Sequence, residues 1–301
     1  MDQENMQLQP SNSPGASVVR PSQDDTAGAL GARSCPACGA SAQSIPATYI
    51  YALGRIEARF PSIAVEKEFA QITRRSENEG KTDNQVFHRI LAARENRYLT
   101  RQMCWVMKVQ GIETYVLHPR DPADFELLIG AIRPDPGPGD IDLVIGLQGP
   151  LAPPESCNGL SVPIVAFDQI YSFSRDAIIG AIPKPEQAST EQFRPAAEEV
   201  FDRIVQLTDN AGATDEQRAL NYLAVRYPAI YARTAEQFVR DFSLVEVAVR
   251  FSRVSDTRRI ADIIFSFTNR TTDFNEKFFV RVDVTEEFPF LSTKWSPYLV
   301  H

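Results

Sequence analysis

The chain has 301 residues, of which 43% are hydrophobic and 23% charged, with a formal net charge of −8 and four cysteines. That balance suits a folded protein with a core and excludes several classes: no apolar run approaches the roughly 18–20 residues of a membrane span, and no basic, then apolar opening marks a secretory signal. No Lys/Arg run is dense enough to neutralise nucleic-acid phosphates, and the cysteines are too sparse for a secreted disulfide scaffold, so the expected address is the cytoplasm, with neither nucleic acid nor membrane as partner.

Residues 1–33 are rich in Ser, Gln, Pro, Gly and Ala and read as a flexible tail, because they carry too little apolar surface to offset the entropy of ordering. Residues 34–301 are expected to fold as one domain. It opens on SCPACG, in which Cys35 and Cys38 lie on a tight turn backed by Gly39. Tyr49–Leu53 follows as a short strand. A helix is expected from Ser62, with Ile63, Phe69 and Ile72 available for burial, and a second through Val86, Ile90 and Leu91. CWVMKV (104–109) and ETYVLH (113–118) are rich in strand formers and flank Gln110-Gly111, which predicts a β-hairpin.

Strands are expected at Asp140–Leu147, after the breaker-rich PDPGPGD, and at Val162–Phe167. The proline-rich 149–159 link between them carries Cys157. The period then becomes helical: a helix over 191–207 with capping-box spacing at Ser189 and Gln192, a second from Thr214 with Gln217, and a third opened by Pro228. Three alternating runs close the chain, at Val245–Phe251, Ala261–Phe267 and Phe278–Val284, and read as an antiparallel meander. The expected fold class is α+β, with antiparallel sheets, segregated helices and a zinc staple.

The zinc staple comes from the cysteines. A tetrahedral structural site takes four thiolates, and Cys104 and Cys157 are available to complete Cys35 and Cys38. Four thiolates leave no open position, so this Zn2+ would be structural. Cys104 and Cys157 could instead be a small core residue and a plain loop thiol, and Cys35/Cys38 a redox pair lacking its usual strand-then-helix context.

Catalytic motifs are sparse. The histidines are His88, His118 and His301, and no nucleophile elbow, phosphate loop or dinucleotide fingerprint occurs. Cys104 with His118 as base is the one nucleophilic pairing the hairpin could assemble. Asp140/Asp142, Glu198/Glu199 and Glu286/Glu287 read as solvated faces or turns.

Several long strings carry a resemblance: YIYALGRIEARFPSIAVEKEFAQ (49–71), NRYLTRQMCWVM (96–107), ETYVLHPRDPADFE (113–126), GPLAPPESCNGLSVPIVAFDQIYSF (149–173), LTDNAGATDEQRALNYLAVRYPAIYAR (207–233) and FFVRVDVTEEFPFLSTKWSPYLV (278–300). They resemble the C-terminal domain of unknown function of cyanobactin maturation proteases, the patellamide-type macrocyclases, over residues 34–301 and all four cysteine positions. The subtilisin-like protease that precedes that domain in those proteins has no room in the N-terminal tail, so the chain looks like a freestanding version. The resemblance implies a place in the biosynthesis of ribosomally made, modified peptides. It implies no catalytic residue. Freestanding relatives of crocagin-type pathways imply a non-catalytic accessory role, binding a precursor peptide and presenting it to the modifying enzymes of the pathway. A sheet edge could take such a peptide as an added strand. The competing readings are an enzyme acting on that peptide, through Cys104/His118 or an unrecognised site, and an assembly module that never touches it. A homodimer is carried as an expectation.

Overall fold

In the computed structural model of the chain, residues 48–75, 80–182, 190–205, 210–252 and 257–299 are described. The tail and Cys35, Cys38, Ser189 and His301 lie outside them.

The first half closes into a five-stranded barrel. Its strands are β1 (Tyr49–Arg59), β2 (Cys104–Val109), β3 (Ile112–Pro119), β4 (Asp140–Leu151) and β5 (Pro163–Ser174), joined in the order β1-β2-β3-β5-β4. The expected hairpin is β2–β3; Gln110 and Gly111 both have positive φ, 51° and 82°, the geometry that two-residue hairpin turns require. The pairings are antiparallel, as expected, except β3–β5, which is parallel. Closure depends on irregularity. Register shifts fall between Met107 and Lys108 and between Ile145 and Gly146, and a Cβ on Gly146 would strike the backbone of Ala166 and Phe167. Glycine and bulges at such points let a sheet bend sharply enough to close.

Four helices accompany the barrel: α1 (Ile63–Arg75), α2 (Asp83–Ala92), α3 (Arg97–Gln102) and α4 (Phe125–Ala131). Thr82 and Gln85 form a capping box on α2. Ile50, Ala52, Trp105, Met107, Leu117, Val144 and Phe167 make the inward face of the barrel and pack with Phe69, Ile90, Leu91, Leu99 and Leu128. Ile63, expected to be buried, is 68% exposed at the first position of α1.

The second half places α5 (Arg175–Ala181), α6 (Thr190–Val205), α7 (Asp215–Arg226) and α8 (Ala229–Val239) before a sheet in the order β6-β7-β8-β9. These strands are β6 (Phe242–Phe251), β7 (Ile260–Asn269), β8 (Asn275–Asp283) and β9 (Phe290–Pro297). The meander is as expected, with β9 added. The opposite face of β1 and β4 (Tyr51, Leu53, Leu143, Ile145) shares one core with α5–α8 and with Ala261, Ile263, Phe265, Phe267, Val280 and Val282 of the sheet. In β6 the register shifts between Leu244 and Glu246. The extra residue turns Val245 outward, to 55% exposure, while Val247 and Val249 still pack on the core. An alternating sequence pattern cannot show such a bulge, because it moves one residue without changing the composition.

Candidate peptide groove

Both edges of the second sheet are blunted. The N–H groups of Leu291 and Trp295 in β9 donate to the hydroxyls of Tyr222 and Tyr227, at 3.2 and 3.1 Å. On β6, Arg203 donates to the Val245 carbonyl beside the bulge, at 3.0 Å. Such devices keep an edge from pairing indiscriminately.

The barrel leaves another edge open. The printed pairing of β1 with β4 ends at Gly54↔Asp142, whereas its pairing with β2 runs from Arg55↔Lys108 to Arg59↔Cys104. From Arg55 onward, β1 therefore has one paired side. The Ile56 N–H points to the other side, where it donates to Asp142 Oδ2 at 2.9 Å. By strand alternation the N–H and C=O of Ala58 face that side too, and among the described residues no partner meets them.

Three cavities lie around the end of β1, and the first of them borders this open side. One of about 440 Å³ runs from Arg55, Ile56 and Ala58 to Asn84, Phe87, Arg133 and Asp142. Another, about 400 Å³, lies over Phe60, Phe69 and Phe87 with Glu66 and Asp83 at its margin. The last, about 610 Å³, reaches from Ala58, Phe60 and Glu66 to Glu113 and Asn158. Ala58, Phe60, Glu66 and Phe87 each line two of them, so the cavities are neighbours along one surface. The Phe60–Phe69 and Phe69–Phe87 centroids are 5.3 and 4.9 Å apart, an aromatic floor.

Asp142 fixes one end. It is 1% exposed, which corrects its reading as a solvated carboxylate. Burial raises its pKa, against the Ser172 hydroxyl (2.7 Å), the Ile56 N–H and Arg133 at 3.6 Å. Arg55 and Arg133 also donate to carbonyls, Arg55 to Gly137 and Asp140 and Arg133 to Ile141 and Phe173. Nothing in the local sequence marked Asp142, because its burial comes from strands 30 and more residues away.

The cysteines are partly brought together. Cys104 and Cys157 form a disulfide across 53 residues, with Cα atoms 5.3 Å apart. Both are buried with Val106, Val116 and Ala152, under the loop that follows β4. The sulfurs converge as a shared zinc site would require, but bonded to each other they offer no thiolate to a metal. Among the described residues no group of three or more His, Cys, Asp or Glu could hold a metal ion. Among the described residues the staple is this disulfide, and the zinc-stapled part of the expected fold class finds no support there. Continuing the β2–β3 register two residues beyond Val106↔Val116 sets Cys104 opposite His118. In the bonded state Cys104 has no thiolate to act as a nucleophile. His88 is half-buried on α2.

Glu287 also departs from its reading as a solvated turn carboxylate. Arg120 bonds Asp168 at 2.5 Å and reaches Glu287 at 3.5 Å. Burial, and then the Asp168 carboxylate, push Glu287 up to about 7 from an ordinary value near 4.5, against Arg120 and Arg218. The folded state therefore holds this proton more tightly than the unfolded chain. Its stabilising contribution is full below about pH 4.5 and is lost as pH rises through 7. Melting temperatures at pH 5.5 and 8.5 should differ less in Glu287→Gln than in the parent. An unchanged difference would show that Glu287 titrates normally.

The chain is thus a closed barrel joined to an open antiparallel sheet, with one side of β1 unpaired from Arg55 onward. The comparisons place it more narrowly. Residues 187–298 match the family described as PatG C-terminal. The fold matches a solved structure titled "PatG Domain of Unknown Function" with a TM-score of 0.65 and 17% identity, over 83% of this chain and 98% of that one. No curated protein matches. Residues 187–298 are thus PatG C-terminal-like, and the fold of the chain resembles that of the PatG domain. Among the described residues no helix is long and apolar enough to cross a membrane.

Proposed function

We propose that this protein is a non-catalytic accessory factor of ribosomal peptide natural product biosynthesis, which binds an extended precursor peptide and presents it to modifying enzymes. The open side of β1 from Ile56 to Arg59, bordered by the cavity of about 440 Å³, carries the reading. A peptide laid there gains main-chain bonds from Ala58, and the cavities offer pockets for its alternate side chains. The likeness to the PatG domain supplies the setting, cyanobactin-type maturation. The cytoplasm remains the proposed address and a homodimer the proposed assembly. A structural zinc held by Cys35, Cys38, Cys104 and Cys157 is proposed for the reduced protein alone, since the disulfide consumes two of its ligands.

The test is native mass spectrometry and titration with the precursor peptide encoded beside the gene. A complex containing peptide of unchanged mass supports the proposal; a shifted mass, absent without protein, overturns its non-catalytic part. Ala58→Pro removes the open N–H without touching the β1–β2 ladder and should weaken binding at least about tenfold, the effect of roughly 1.4 kcal/mol. Unweakened binding to a folded Ala58→Pro protein would place the peptide elsewhere.

A further inference from the structure

The groove's charges indicate what kind of peptide it takes, an inference that rests on the peptide-binding reading above. Most of its ionic groups are already matched. Arg59 pairs with Glu113, Glu57 with Lys108, and Arg133 with Asp140 and Asp142. Arg55 is spent on the carbonyls of the 137–140 turn. What remains beside the aromatic floor is Glu66, Asp83 and Arg74, for which no ion pair occurs among the described residues. Beside that floor two acids stand with one arginine, so the charge there is net acidic, while Arg55 keeps its positive charge in the neighbouring cavity. Glu66 lines two of the three cavities, beside Phe60 in both.

We propose that the groove selects a peptide segment in which a large apolar residue, seated on Phe60, Phe69 and Phe87, is flanked by lysine or arginine facing Glu66 and Asp83. The apolar residue supplies affinity by covering exposed ring surface. The basic residue supplies selectivity, because a carboxylate at the same position would meet like charge. Both acids also lie in the first turns of α1 and α2, where they favour the helix termini. That role alone would affect stability and leave peptide preference untouched.

The probes are three fluorescein-labelled heptapeptide amides, Thr-Lys-Val-Phe-Val-Lys-Thr and its analogues with both lysines replaced by glutamate or with phenylalanine replaced by alanine. Fluorescence anisotropy at low salt reads their affinities for the full chain. The lysine peptide should bind at least about tenfold more tightly than either analogue, and its advantage over the glutamate peptide should shrink as salt screens the charges. In Glu66→Gln/Asp83→Asn, that advantage should fall to about threefold or less while the penalty for alanine persists; neutral amides of the same size keep the groove's shape. Equal binding of lysine and glutamate peptides, or a preference unchanged in the double variant, overturns the inference and leaves peptide binding standing. If the lysine peptide does not bind, the inference also falls, and the precursor titration decides separately whether the groove binds peptide at all.

Discussion

Arg218→Met is expected to destabilise the protein by about 3–5 kcal/mol, the usual cost of breaking a buried charge pair by removing one partner. Arg218 is 2% exposed. It donates to Asp215 at 3.1 Å, to the carbonyls of Val284 at 2.8 Å and Glu287 at 3.2 Å, and to that of Glu286. Its guanidinium also lies over the Tyr49 ring, 5.2 Å from the centroid. Burial lowers its pKa, against the pull of Asp215. One side chain on α7 thus fastens the start of β1 to the segment between β8 and β9. Methionine fills much of the volume but leaves three carbonyls short of a donor and Asp215 with its Arg259 pair alone. Urea unfolding should show a lower midpoint with an unchanged slope. A midpoint within experimental error of the parent would mean that water replaces the guanidinium.

The second large effect belongs to the disulfide. Closing a loop of 53 residues restricts the unfolded chain by about 4 kcal/mol on the chain-entropy relation. Cys104→Ala/Cys157→Ala should therefore lose about that much against the oxidised parent, and reductant should lower the parent's urea midpoint but not the variant's. A parent indifferent to reductant would remove the covalent staple from the account. Metal analysis of the reduced parent bears on the zinc proposal in the same experiment. About one zinc per chain, absent from Cys38→Ser, would support the four-thiolate site, and metal-free reduced protein would overturn it. The compartment matters here, because disulfides persist in oxidising surroundings and are rare in the cytosol.

Local patterns carried much of this fold. The capping boxes at Thr82 and Thr214, the Gln110-Gly111 turn and the alternation of β7 and β8 follow from short-range stereochemistry, which neighbouring residues decide among themselves. The candidate groove was not legible. Its strand appeared as Tyr49–Leu53, yet the half that matters begins at Arg55, where β4 stops pairing and one side of β1 opens. No property of Arg55–Phe60 announces an unpaired edge, since the edge exists because a distant strand ends. Asp142 and Glu287 were misread for the same reason: charge is a local property, whereas burial among strands and loops from elsewhere in the chain is not.

From the sequence alone came the α+β class, most elements and the resemblance to the PatG C-terminal domain, because hydrophobic period, caps and turn residues act over a few positions. Tertiary structure decided the barrel's closure and its parallel β3–β5 contact. It also decided the union of Cys104 with Cys157 and which strand edge stays open. Each depends on pairing between segments tens of residues apart, where loop closure and packing of the whole chain set the register.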